Sequence, residues 1–335
     1  MSSKALVWVR DDFRINNNDA LIYATNNHDV VTAVFIFNNH IFDNKREAQK
    51  WWLSKSIESF SSDLKKLNIG LEIIKDDEVN FFSKLKTSNK ISVYWNKVYE
   101  PAEFDKDKKI GKDLSEKKIN FKFFKGNVLN EYNKITKNDG TPFKVFSPFW
   151  RNAEQFYMER LPDKINKVKK CKKIEILFKK QIKSEDILPK SKWYMKFDKY
   201  WAPSESKAHE CLENFVNKNI LNYGINRDFP SIDGTSKLSP YIRNGQINVR
   251  DIWEKCKKLK SKNVSVKKYT NEIGWREFSH SLINYFPQML KGNLRKEFDN
   301  FPWVNNSKFL NAWKKGMTGY PIVDAGMREL YETGW

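Results

Sequence analysis

Cysteine is nearly absent. The 335 residues hold three, Cys171, Cys211 and Cys256, far apart and odd in number. This excludes a disulfide framework and a C-x-x-C zinc or redox motif, and it fits a reducing, cytoplasmic setting. The four histidines, His28, His40, His209 and His280, form no H-E-x-x-H or comparable set, so no metal centre is expected. No apolar run approaches the roughly 18 residues of a membrane span. The opening MSSKALVWVR lacks the apolar stretch of a secretory signal. No G-x-G-x-x-G follows the first apolar run, which excludes the usual dinucleotide fingerprint. There is no internal repeat.

Positive charge and aromatic rings are plentiful. Sixty-one Lys and Arg stand against 41 Asp and Glu, a formal net charge of +20 carried by both halves of the chain. Such a surface raises the local concentration of polyanions and suits nucleic acid; a merely solvated Lys-rich surface is the plainer alternative. Twelve Trp and 24 Phe are many for this length. Most serve core packing, and some are candidates to stack on a flat cofactor or a base.

Residues 1–130 alternate strand and helix patterns. Apolar runs at Ala5–Val9, Val31–Phe37, Leu71–Lys75, Ile91–Trp95 and Phe121–Phe124 predict strands, several of them buried on both faces. Helical patterns at Asp19–Asn27, Arg46–Leu67, Val79–Thr87 and Ala102–Lys117 lie between them. Strand, helix, strand, repeated, predicts a doubly wound parallel α/β sheet. Residues 131–200 read as a linker, with a turn cluster at Asn138–Pro142 and a Lys-rich surface connection over Pro162–Lys199. Residues 201–335 read as all-α. Ser204 is placed to cap a helix running through Tyr223, Asn248 another through Lys260, and Tyr269–Leu290 is periodic.

Three segments carry candidate chemistry. Gly234–Tyr241 packs Thr235, Ser236, Lys237 and Ser239 together, with Ser239 as a candidate N-cap and Pro240 as a candidate first helical residue. It reads as an ordinary capped turn or as a cradle for a phosphate at a helix N-terminus. On a helix, Glu272, Trp275, Arg276 and Ser279 share one face, which offers a carboxylate, a π surface, a cation and a hydroxyl. That face is either a base-reading surface or an amphipathic surface with one core Trp. Gly316–Arg328 is a tight turn entering a helix.

Seven collinear motifs together resemble the photolyase/cryptochrome family from residue 6 to residue 335. They are Leu6–Leu21, with Val9, Asp11, Phe13, Ile15 and Asn17 departing from the family pattern; Tyr94–Pro101; Gly140–Phe149; Arg227-Asp228; the T-S-x-L-S-P-Y segment from Thr235; Trp275-Arg276-Glu277-Phe278; and Gly316–Arg328. The resemblance is greatest to class I cyclobutane pyrimidine dimer photolyases. It implies FAD held by Tyr223, Thr235, Ser236, Lys237, Leu238, Ser239, Tyr269, Arg276 and Trp335. It implies contact of damaged DNA with Arg227, Glu272, Trp275, Arg276 and Ser279, with Glu272 and Trp275 at the lesion. Trp303 matches the outermost member of an electron-transfer chain. Glu103 matches a carboxylate that contacts a methenyltetrahydrofolate antenna, but Ala102 replaces the expected Asn, which leaves 8-hydroxy-5-deazaflavin open. The implied protein is a monomeric, cytoplasmic, light-driven lyase acting on ultraviolet-damaged DNA. A cryptochrome photoreceptor, a (6-4) photolyase and a flavin-free nucleic-acid-binding relic are the alternatives. The match ends inside a motif at Thr333-Gly334-Trp335, so the resemblance also implies a longer enzyme whose remaining flavin-pocket residues lie past residue 335.

Overall fold

A computed structural model describes residues 3–38, 47–159, 167–179, 181–260 and 263–335. Arg46, expected to open the second helix, and Pro162, expected to open the connection, lie outside these residues. The first half is a five-stranded parallel sheet in the order β3-β2-β1-β4-β5, formed by β1 (Lys4–Val9), β2 (Val30–Phe37), β3 (Gly70–Lys75), β4 (Ile91–Asn96) and β5 (Phe121–Phe124). Helices α1 (Asp19–Asn27), α2 (Glu47–Lys66), α3 (Glu78–Ser83) and α4 (Pro101–Glu116) make the crossovers. The doubly wound sheet and every predicted strand are therefore present. β2 is buried along its whole length, which is why its sequence is continuously apolar rather than alternating. One side chain ties the strand ends together. Asn96 donates to Asp12 Oδ2 (2.6 Å) and Asn18 Oδ1 (2.8 Å) and accepts from Ala20 N (3.1 Å). Asn18 itself caps α1.

The second half is helical: α5 (Phe146–Glu159), α6 (Glu205–Lys218), α7 (Tyr223–Asn226), α8 (Ser239–Arg243), α9 (Val249–Lys260), α10 (Val264–Tyr285), α11 (Ser307–Lys314) and α12 (Pro321–Thr333). Ser204 caps α6 through Lys207 N at 3.1 Å, as expected. The helix then stops at Lys218, and a 3-10 turn and the short α7 replace its expected continuation to Tyr223. The sequence pattern gave no sign of α5. Its buried side (Phe149, Trp150, Ala153, Tyr157) joins the helical core. The described part of the expected surface connection is stitched to the sheet domain: Ile182 N donates to Ile73 O (2.9 Å), and the Glu72 carboxylate accepts from Leu177 N and Phe178 N.

Helix α2 serves both halves. Leu53, Ile57, Phe60 and Leu64 pack on the sheet, while Trp51 and Trp52 enter the helical core. Trp52 meets Tyr241 edge-on at 5.0 Å and donates its Nε1 proton to Gln246 Oε1 (2.9 Å). The loop after β1 completes the junction. Arg14, 1% exposed, donates to Gly245 O at 2.9 Å, and the Glu205 carboxylate accepts from Ile15 N and Asn16 N.

Gly245 sits at this seam with φ +65°, and a Cβ there would fall 1.8 Å from Asp11 O. Left-handed strain and backbone overlap act together, and neither contact atom is a flexible side-chain end. Gly245→Ala is expected to cost about 3 kcal/mol or more. Urea unfolding of wild type and variant checks this; a difference below about 0.5 kcal/mol would contradict the tight approach.

Candidate functional site

The helical half meets the carboxyl ends of β1 and β4 around a cavity of about 460 Å³. Helix α10 supplies its longest wall. Glu272, Arg276 and His280 follow at i, i+4 and i+8 and line the cavity together. Tyr269 precedes them on the same helix, and Tyr223, Ser236 and Ser239 complete the lining. Tyr223 and Tyr269 cross edge-on at 5.1 Å, with Phe215 behind Tyr269 at 4.6 Å, so this wall is aromatic and rigid. Burial pushes the Tyr269 phenol up, which keeps it a neutral hydrogen-bonding group.

The hydroxyl-rich segment is divided by its backbone. Ser236 and Ser239 reach the cavity, Leu238 is buried in the core, Thr235 is exposed, and Lys237 turns away to Asp233 (3.0 Å). Lys237 adopts φ +50°, and this left-handed residue makes the turn. Ser239 is not the N-cap. It is the first residue of α8, with Leu238 at the cap position and Ser236 Oγ accepting from Leu238 N at 3.4 Å. Ser239 Oγ is therefore released from capping.

The expected α10 face also divides. Glu272 and Arg276 enter the cavity; Trp275 and Ser279 are exposed beside it. Glu272 is ion-paired with Arg227. Ser279 Oγ donates back to Trp275 O at 2.8 Å. Trp303 is 83% exposed, with Phe301 beside it at 4.7 Å.

A second cavity, of about 500 Å³, opens at the carboxyl ends of β1 and β2, next to the point where strand order reverses. Open α/β sheets bind ligands at such a crevice. Arg10, Phe35, Gln49, Trp52 and Glu103 line it. Glu103 is held by Lys106 (2.8 Å) and lies 3.6 Å from Arg10, whose guanidinium is fixed by Asp107 (2.7 Å). Trp335 borders this second cavity, its ring 5.7 Å from Trp201, and is not gathered with Tyr223 and Tyr269. The two cavities share a wall of Asp11, Val98, Glu100, Ser239 and Arg243, in which Arg243 pairs with Asp11.

The sequence reading passed over His280 and Arg243. The i+4 step from Arg276 was available to find His280. Nothing local signals the Asp11–Arg243 pair, whose members lie 232 residues apart in sequence.

Burial, then the Arg276 and Arg243 guanidiniums, push the His280 imidazole down to about 3. Tyr99 packs edge-on against it at 6.0 Å. The depressed value means that the unfolded chain binds a proton that the folded chain refuses. The stability contribution is thus complete above about pH 6.5 and is lost as pH falls toward 3. Wild type is expected to lose up to about 2 kcal/mol more than His280→Asn between pH 7 and pH 5. Paired thermal melts at the two pH values test this, and equal losses would contradict the neutral, buried imidazole.

Residues 5–167 match the family model described as DNA photolyase, and residues 269–335 match the FAD binding domain of DNA photolyase. The chain is 32% identical over 99% of its length to the deoxyribodipyrimidine photo-lyase of Agrobacterium fabrum, of which it covers 70%. It is 29% identical over its whole length to cryptochrome-2 of Arabidopsis thaliana and spans 57% of that protein. The crystal structure of a bacterial class III photolyase from Agrobacterium tumefaciens superposes with a TM-score of 0.90 at 31% identity, over 100% of this chain and 70% of that one. The sequence motifs had pointed to class I, and the class is not carried further. With both family models in chain order and a relative above 30% identity, the chain belongs to the DNA photolyase/cryptochrome family.

Proposed function

We propose that the enzyme to which this chain contributes performs light-driven repair of cyclobutane pyrimidine dimers in DNA, with FAD seated in the cavity of about 460 Å³. The observation that carries the reading is the convergence there of Arg276, Ser236, Ser239, Tyr223 and Tyr269. A guanidinium and hydroxyls suit a diphosphate, and crossed aromatic rings suit a flat ring system. The donor set therefore fits the group. When bound and fully reduced, FAD supplies the light-excited electron that splits the dimer.

The chain's own residues do the rest. Arg276 and the two serines hold the diphosphate, while Tyr223 and Tyr269 pack against the cofactor and keep water out. Thr235, Lys237 and Leu238 act through the turn they build: Leu238 anchors it in the core, and Lys237 closes it against Asp233. Arg227 and the basic surface engage phosphates. Glu272 accepts a hydrogen bond from a base edge once DNA competes for Arg227, and Trp275 offers a stacking face to a base flipped out of the duplex. Ser279 adds a hydroxyl on the same open surface. Trp303, at the protein surface, is the entry point for a reducing electron. The second cavity takes an antenna chromophore, folate or deazaflavin, with Glu103 and Arg10 as its polar contacts. Trp335 closes that cavity rather than the flavin site.

The similarity to a plant cryptochrome supports a second reading, in which the same flavin site signals instead of repairing. A blue-light assay on a dimer-containing oligonucleotide separates the two.

The flavin assignment is tested by equilibrium titration with FAD and with ADP. Arg276→Ala is expected to weaken both by about tenfold or more, the cost of losing a charged hydrogen-bond donor. A complete polypeptide that takes up no flavin under any condition would sink the proposal.

A further inference from the structure

The motif Gly140–Phe149 has no part in the reading above, yet it delivers one side chain to the lesion surface. Phe146 opens α5 and lies flat on the indole of Trp275, ring centroids 3.8 Å apart and planes 8° apart. We propose that Phe146 is the positioning residue for Trp275: it backs one face of the indole so that the other is held open to a flipped base. This rests on the lesion-binding role proposed for Trp275.

Near-complete face-to-face overlap is not what two free aromatic rings prefer; offset or edge-on contacts are better. The helix packing imposes it. Trp150, one turn along α5, sits directly on Gly274, where a Cβ would fall 2.5 Å from the indole, and donates its Nε1 proton to Asn271 Oδ1 (2.9 Å). Phe149 meets Phe278 at 5.1 Å. Contacts at 271, 274 and 278 fix the register of α5 on α10, and that register sets Phe146 over Trp275. Phe278 then closes the edge, its ring 6.0 Å from both Trp275 and Phe146.

The result is an indole with one face covered, one edge blocked and 47% of its surface still exposed. In the proposal, the face turned away from Phe146 is the one offered to a base. A base stacking there meets a platform already ordered, so the entropy of immobilising a large side chain is not charged to binding. Phe146 touches no base itself and acts only through Trp275.

The test is a double-mutant cycle, read as dark binding of a thymine-dimer oligonucleotide and of its undamaged counterpart. Phe146→Leu is expected to weaken dimer binding about 3- to 10-fold, to change undamaged binding little, and to cost nothing further in a Trp275→Ala background. Phe146→Tyr, which keeps the ring, is expected to bind as wild type does. Thermal melts confirm that each variant is folded. Additive losses, or no loss in Phe146→Leu while Trp275→Ala binds more weakly, overturn the positioning role and leave the lesion reading standing. Tighter dimer binding by Phe146→Leu also overturns it, because the ring would then occupy the place of the base. If Trp275→Ala binds the dimer as wild type does, the lesion reading falls and takes this proposal with it.

Discussion

The close approach of Gly245 to the loop after β1 is the constraint on which the rest of the molecule depends. Asp11 O occupies the space that any side chain at 245 would need, and Arg14 reaches across to Gly245 O from complete burial. Buried charge of this kind is costly and is offset by the acceptors its donors find. Arg14 sets its Nη1 on Gly245 O and its Nη2 on Asn17 O, while its buried Nε has no hydrogen-bond partner among the described residues. The arrangement therefore allows one docking of the helical half on the sheet. Neighbouring polar contacts repeat the logic: Glu205 caps the backbone of Ile15 and Asn16, and Asn127 bonds Val249 N, Ile242 O and Ile247 O.

That single docking builds both cavities. The sheet supplies its carboxyl edge, the helical half supplies α8 and α10, and their shared wall is the Asp11–Arg243 pair with Glu100 and Ser239. In the proposed function, the antenna and flavin sites are thus separated by one layer of side chains whose positions follow from the seam. Glu277 extends the same coupling to the surface around Trp275. Its buried carboxylate accepts from Leu129 N and Asn130 N, fixing α10 to the segment that leads into α5. Burial pushes this carboxyl up, against Arg276 and the two backbone donors. Helix α10 consequently holds its cavity-lining residues and the exposed Trp275 beside them in fixed relation.

The sheet was legible because its strands are short, buried and rich in β-branched and aromatic residues, a local signal that repeats five times. Ser204 and Asn248 were legible as caps because capping is a one-turn interaction. Ser239 misled for the same reason: Ser-Pro reads as a cap, but the left-handed turn at Lys237 moves the cap to Leu238. Helix α5 stayed hidden. Its stretch carries aromatic residues of middling helix propensity, and its stability comes from α10, over a hundred residues away. The grouping of Glu272, Trp275, Arg276 and Ser279 as one face was right in spacing. Which of them meets a cavity depended on where the sheet edge, α7 and α8 lie.

The sequence by itself determined the parallel sheet, the caps, the motifs that mark the family, and the inventory of hydroxyls, cations and rings available to a site. Those properties are set by near neighbours in the chain. Tertiary structure alone decided the pairing of Asp11 with Arg243, the gathering of His280 with Arg276 and Arg243 around one cavity, the placement of Trp335 beside the second cavity and the stacking of Phe146 on Trp275. Each is a contact between residues distant in sequence, fixed by close packing at a seam that leaves a single way to fit.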